Sequence, residues 1–90
     1  MPAKKPGRPH RGNEDTSAEA RALFGTNFRQ ARLKANLTQA EVESRTGIRQ
    51  HYISEIENGA HNVTLDTMTV LARAIDSDVR MLLKPPRRKR

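Results

Sequence analysis

The sequence predicts an all-α fold, a single small body of five short helices with basic segments at both ends. Three observations carry that expectation. Across residues 18–83 the apolar side chains return every three or four positions, with no alternating β-branched run. Cap and turn residues divide the stretch into pieces of helical length. A chain of 90 residues has room for one core and little more.

The first helix is expected to start at a Thr16 or Ser17 cap. Phe24, Phe28, Ala31 and Ala35 form one face of it and Leu37 closes that face. Asn36 suits the helix end, because Asn tolerates a left-handed backbone. "T-Q-A-E" at residues 38–41 spells a capping box: the Thr hydroxyl takes an early amide and the Glu reaches back to the Thr amide. The short second helix stops at Gly47, where a sharp turn needs a residue without a Cβ.

The third helix lies in "T-G-I-R-Q-H-Y-I-S-E-I-E-N-G", residues 46–59, where Ile48, Ile53 and Ile56 keep the helical beat and Gly59 ends it. Thr64 caps a fourth helix with Leu65, Met68, Leu71, Ala72 and Ile75 inward. Asp76-Ser77-Asp78 breaks the chain before a fifth helix carrying Val79, Leu82 and Leu83, and Pro85-Pro86 stops it. Roughly fifteen apolar side chains are available to bury, a thin core for this length that a partner subunit would help.

The net charge of +7 is unevenly placed. Lys4, Lys5, Arg8 and Arg11 face only Glu14 and Asp15 in residues 1–17, and Lys84, Arg87, Arg88, Lys89 and Arg90 face no acid in residues 84–90. Residues 18–83 balance eight basic against eight acidic side chains. The expected organisation is therefore a flexible basic arm (1–17), a neutral helical domain (18–83) and a basic tail (84–90). Such arms are drawn to polyanions, although the first of them reads equally well as a solubilising end. No cysteine is present, so disulfides and thiolate metal sites are excluded and a reducing compartment, the cytoplasm, is expected. The basic, proline-rich start is not a signal peptide, and no stretch has the length and apolarity of a membrane span.

The short helix, glycine turn and second short helix ending in "E-N-G" resemble the Cro/phage-repressor (XRE-type) helix-turn-helix family. The similarity runs from Phe24 to Leu83. It rests on "L-T-Q-A-E-V" at 37–42, "R-T-G-I" at 45–48, "Y-I-S-E-I-E-N-G" at 52–59, Phe24-Gly25, Phe28-Arg29 and Arg32 upstream, and "L-D-T-M" with "L-A-R-A-I" downstream. The resemblance implies a compact five-helix, lambda-repressor-like DNA-binding domain, whose third helix enters the major groove.

By that resemblance Arg49, Gln50, His51, Ser54 and Glu55 read bases. Gln suits adenine, Arg suits guanine, and Glu accepts from cytosine N4. The alternative for these residues is an ordinary wet helix face. Thr38, Gln39, Tyr52, Asn58, His61 and Asn62 fall where the family contacts phosphate, with Gln39 also bracing Gln50. For Tyr52 the alternative is packing across the turn, and for His61 it is the simpler role of a solvated loop histidine. Arg32 and Glu57 correspond to a partly buried ion pair between the first and third helices. The sequence departs from the family pattern at Glu43, which must tilt outward or find a base such as Arg49, and at Asp76 and Ser77. Gly7-Arg8-Pro9 is similar to a degenerate AT-hook, which places Arg8, and Arg11 beside it, along a narrow minor groove.

The three histidines lie in separate segments, and no phosphate loop or convergent carboxylate pair accompanies them, so no enzyme, metal or cofactor is expected. The leading expectation is a transcriptional regulator, a repressor acting as a homodimer on palindromic double-stranded DNA in the nucleoid. Two alternatives keep the chemistry and change the partner or genetic setting: an antitoxin that also binds a toxin, and a restriction-modification controller. A fourth is RNA or chromatin binding through the tails alone.

Overall fold

The computed structural model describes residues 11–86, with side chains from Ser17 onward. Five helices follow one another: α1 Arg11–Lys34, α2 Gln39–Thr46, α3 Gln50–Glu57, α4 Leu65–Ala74 and α5 Val79–Leu82. The all-α, five-helix architecture is the one expected from the periodicity. Helix α1 begins at Arg11 instead of at a Thr16 or Ser17 cap, so its first turn takes in residues assigned to the arm. Nothing between Arg11 and Thr16 forbids a helix, since Gly and Pro stop short of the run except for Gly12 near its start. Arg8 and Arg87, Arg88, Lys89 and Arg90 lie outside the described residues.

Local chemistry explains most helix ends. Thr38 accepts the Glu41 amide at 3.0 Å while the Glu41 carboxylate accepts the Thr38 amide at 2.8 Å, which completes the capping box of α2. Thr64 caps α4 through the Thr67 amide, and Asp78 caps α5 through the Met81 amide. Helices α1, α3 and α4 close in one way. Asn36, Gly59 and Asp76 take left-handed φ values of 61°, 74° and 59°. The next amide then donates back to a carbonyl five residues earlier, as Leu37 to Arg32, Ala60 to Glu55 and Ser77 to Ala72. Asp76 thus performs the turn usually given to glycine.

The core comprises Phe24, Phe28, Val42, Ile53, Ile56, Leu71, Ala72, Ile75 and Leu82, with Ala31, Leu37, Ile48, Tyr52, Val63 and Met68 packed around it. Fully burying a side chain such as Ile53 or Leu71 contributes about 1.5–3 kcal/mol. Helix α1 packs on α3 and α5, α2 packs on α3 and α4, and α4 packs on α5. Helices α1 and α3 approach so closely that a Cβ on Gly25 would lie 2.8 Å from the Glu57 carbonyl oxygen.

Several inward assignments are corrected. Leu65 is 63% exposed, because α4 begins there and its first turn projects beyond the core. Ala35 is also exposed, at the end of α1 where the chain turns away. Leu82 is fully used by the core of this single chain, whereas Met81 and Leu83 remain exposed and Val79 is half-buried.

Candidate nucleic-acid interface

Helices α2 and α3 are joined by a turn that hydrogen bonds hold tightly. Gly47 adopts φ 80° and its amide donates to the Glu43 carbonyl at 2.7 Å. A Cβ there would meet nothing within 4 Å, so glycine is required by the backbone angle and not by space. The Thr46 hydroxyl donates to the Val42 carbonyl at 2.8 Å and accepts the Ile48 amide at 3.0 Å. Arg49 then starts α3 with no side-chain cap.

Helix α3 turns one side to the core and the other to solvent. Ile53 and Ile56 are buried, while Gln50, His51 and Glu55 on the opposite arc are exposed. Arg49 is exposed and Ser54 half-buried. Thr38 is exposed at the start of α2, and Asn58 and Asn62 are exposed beyond α3. Thr38, Gln39, Ala40 and Gln50 line one shallow depression between α2 and α3. Lys84 is exposed, but it does not begin a free tail: the Asn27 side-chain amide donates to the carbonyls of Leu82 at 2.9 Å and Lys84 at 2.8 Å.

Beneath this surface lies a buried polar junction. The Arg32 guanidinium donates twice to the Glu57 carboxylate, Nε to Oε2 at 2.6 Å and Nη2 to Oε1 at 3.0 Å. Its Nη1 donates to the Leu37 carbonyl at 2.8 Å. Gln39 joins the junction from α2, its Nε2 donating to Glu57 Oε1 at 3.0 Å. Three helices are thus tied to one carboxylate, which fixes the height and rotation of α3. Gln39 gives one amide hydrogen to Glu57, and among the described residues it makes no hydrogen bond to Gln50. The expected brace to Gln50 is therefore absent among the described residues, although both side chains line one depression.

Two other expectations change. Glu43 is half-buried and forms no ion pair among the described residues, so the Arg49 partnership is absent. His61 is a partly exposed loop side chain that also has partners. Its Nε2 sits 2.6 Å from Glu55 Oε1, and its ring meets Tyr52 edge-on with centroids 4.4 Å apart. Tyr52 packs against the core and against His61. Sequence reasoning missed this cluster because the three residues meet only once the loop after α3 folds back.

It also missed Arg21, Arg29 and Arg45. Arg21 donates to the Gly59 carbonyl and Arg45 to the Ala74 carbonyl at the end of α4, where a cation suits the exposed carbonyls. Arg29 lies 3.8 Å from Glu57 with its side chain largely exposed, next to the Gln39 edge of the surface. Among the described residues no group of three His, Asp or Glu side chains is placed to hold a metal ion, and no helix is long and apolar enough to cross a membrane.

The helix-turn-helix family model matches residues 28–82. An uncharacterised helix-turn-helix-type transcriptional regulator of Sinorhizobium fredii is 44% identical over 57 residues, covering 63% of this chain and 74% of that protein. Control protein C.BamHI of Bacillus amyloliquefaciens is 38% identical over 64 residues, 70% of this chain and 79% of that one. The crystal structure of the restriction-modification controller protein C.AhdI from Aeromonas hydrophila superposes with a TM-score of 0.66 at 31% identity, over 69% of this chain and 94% of the other. With a capped α2, a left-handed glycine turn and an α3 whose polar arc faces outward, this chain belongs to the helix-turn-helix family of DNA-binding transcriptional regulators.

Proposed function

We propose that the protein is a restriction-modification controller: a regulator that binds a symmetric operator as a homodimer and sets expression of a neighbouring modification and restriction gene pair. The observation that carries this reading is the likeness to C.AhdI, which covers nearly the whole of that controller, together with the identity to C.BamHI. The sequence motifs and the family they resemble favour a repressor of unspecified target with the controller as an alternative, and the likeness to two named controllers supports the latter. In this reading Arg49, Gln50, His51, Ser54 and Glu55 meet base edges in the major groove, and Thr38, Asn58 and Asn62 meet phosphates. Exposed Met81 and Leu83, beside half-buried Val79, supply apolar surface for the second subunit.

Selection of duplexes from a random pool tests it. The expected product is a site with two inverted half-sites about one helical turn, roughly 34 Å, apart. Gln50→Ala should then lose about 1–3 kcal/mol on that site and relax one base pair per half-site. The genes beside the coding sequence provide the second arm: a selected site upstream of a DNA methyltransferase or endonuclease gene supports the controller. A site upstream of unrelated genes leaves a regulator of another kind. A pool that yields no consensus overturns sequence-specific binding.

A further inference from the structure

We propose that His61 is a positioning residue for base readout: it holds the Glu55 carboxylate in place before DNA arrives and so helps set specificity at the base pair Glu55 meets. The inference rests on the proposed role of Glu55 as a reader. Glu55 and His61 stand on different segments, the exposed face of α3 and the loop that follows it, yet His61 Nε2 approaches Glu55 Oε1 at 2.6 Å. The two side chains are 39% and 49% exposed, and since a carboxylate only accepts, His61 holds Oε1 in the form that carries its hydrogen on Nε2. The ring is supported on one side by Tyr52, which it meets edge-on and which is itself packed on the core. The loop is held too, by the left-handed Gly59, by the Ala60 amide donating to the Glu55 carbonyl at 2.9 Å, and by Arg21 on the Gly59 carbonyl.

A glutamate on an open helix face samples many rotamers, and ordering it on binding weakens association. Here that ordering is done in the free protein. With Oε1 occupied by His61, the hydrogen-bonding capacity left to Glu55 lies chiefly on Oε2, which is acceptor-only. That chemistry selects a base edge offering an amino group, cytosine N4 or adenine N6, over guanine and thymine, whose major-groove edges only accept. His61, so engaged, is a poor phosphate ligand, which removes it from the phosphate-contact set and gives it another role.

The test uses the full chain and the duplex selected from the random pool, with single substitutions at each base pair of a half-site. Binding is measured for the wild type, Glu55→Ala, His61→Phe, His61→Gln and the Glu55→Ala/His61→Phe double variant, and each variant's thermal unfolding is followed. His61→Phe keeps an aromatic ring for Tyr52 and lacks the donor; His61→Gln lacks the ring and keeps a donor. Glu55→Ala and His61→Phe should both lose about fivefold or more discrimination at one shared base pair, with the double variant no worse than Glu55→Ala and His61→Gln partly restored. If Glu55→Ala leaves every position unchanged, the reader role fails and the inference falls with it. If Glu55→Ala relaxes a position that His61→Phe and His61→Gln both leave intact, the inference alone is overturned. Equal weakening on every duplex by the His61 variants, with the salt slope reduced by about one, would instead make His61 a phosphate contact. Should His61→Phe fail to fold, His61→Ala takes its place as the variant without a donor, and the same outcomes decide.

Discussion

Arg32 of α1 and Glu57 of α3 form a two-pronged hydrogen-bonded ion pair in which both side chains are almost wholly buried, with exposures of 7% and 2%. Twenty-five residues separate them in sequence. The pair joins the long first helix to the end of α3, the helix whose polar arc faces outward, and Gln39 adds α2 to the same carboxylate. Removing Arg32 leaves a buried carboxylate with only Gln39 and the more distant Arg29 nearby. Arg32→Ala is therefore expected to lower unfolding free energy by about 3–5 kcal/mol in urea titration. Replacing both partners with apolar residues of similar size should cost much less than Arg32→Ala alone. An additive double variant would show that the two charges do not depend on each other.

Gly25 is the second structural pivot. A Cβ there would lie 2.8 Å from the Glu57 carbonyl oxygen, and backbone cannot swing aside as a side chain can. Gly25→Ala should push α1 away from α3 and destabilise by about 1–3 kcal/mol, even though alanine is the better helix former. A thermal midpoint at or above that of the wild type would mean the two helices separate without cost.

Asp78 gives the clearest dependence on pH. The Met81 amide donates to its carboxylate at 3.1 Å, and Arg80 lies 3.6 Å away, so the Asp78 carboxyl is held below its ordinary value of 3.8. A lowered folded value means the charged form stabilises the fold above the unfolded value, and this contribution disappears as pH falls through the folded value. Asp78→Asn keeps a capping oxygen without the charge. The wild type should therefore melt above Asp78→Asn at neutral pH, and the gap should close only below about pH 3.8. A gap that stays constant to lower pH would remove the charge from the explanation.

The charge distribution makes a prediction about binding that does not depend on the reader residues. Residues 18–83 are balanced, so non-specific attraction to DNA must come largely from the ends. Because Asn27 anchors the Lys84 carbonyl, the informative truncation begins after Pro86 and removes Arg87, Arg88, Lys89 and Arg90. Each of these that neutralises a phosphate contributes about 0.9 to the log–log salt slope, so the slope should flatten by a few units. Base preference should survive, because phosphate contacts position without specifying. An unchanged slope across several salt concentrations would make the tail a solvated end.

The elements legible in the sequence are those whose cause is local. Thr38 with Glu41, Thr64, Asn36, Gly47 and Gly59 each act within five residues of themselves, so spelling alone located the ends of α2 and the turn into α3. The outward arc of α3 was equally legible, because Ile53 and Ile56 at helical spacing leave Gln50, His51 and Glu55 on the other side. What only the tertiary structure decided are contacts between distant segments: the near-touching backbones at Gly25 and Glu57, Asn27 on Lys84, Gln39 committed to Glu57 and His61 closing on Glu55. Leu65 and Leu82 show the same division, since one apolar residue ended exposed and the other buried although both keep the helical beat. Periodicity tells which side of a helix is apolar. Where that side finds a neighbour, and which donor reaches which acceptor, depends on how the helices cross, and no short stretch of sequence encodes that geometry.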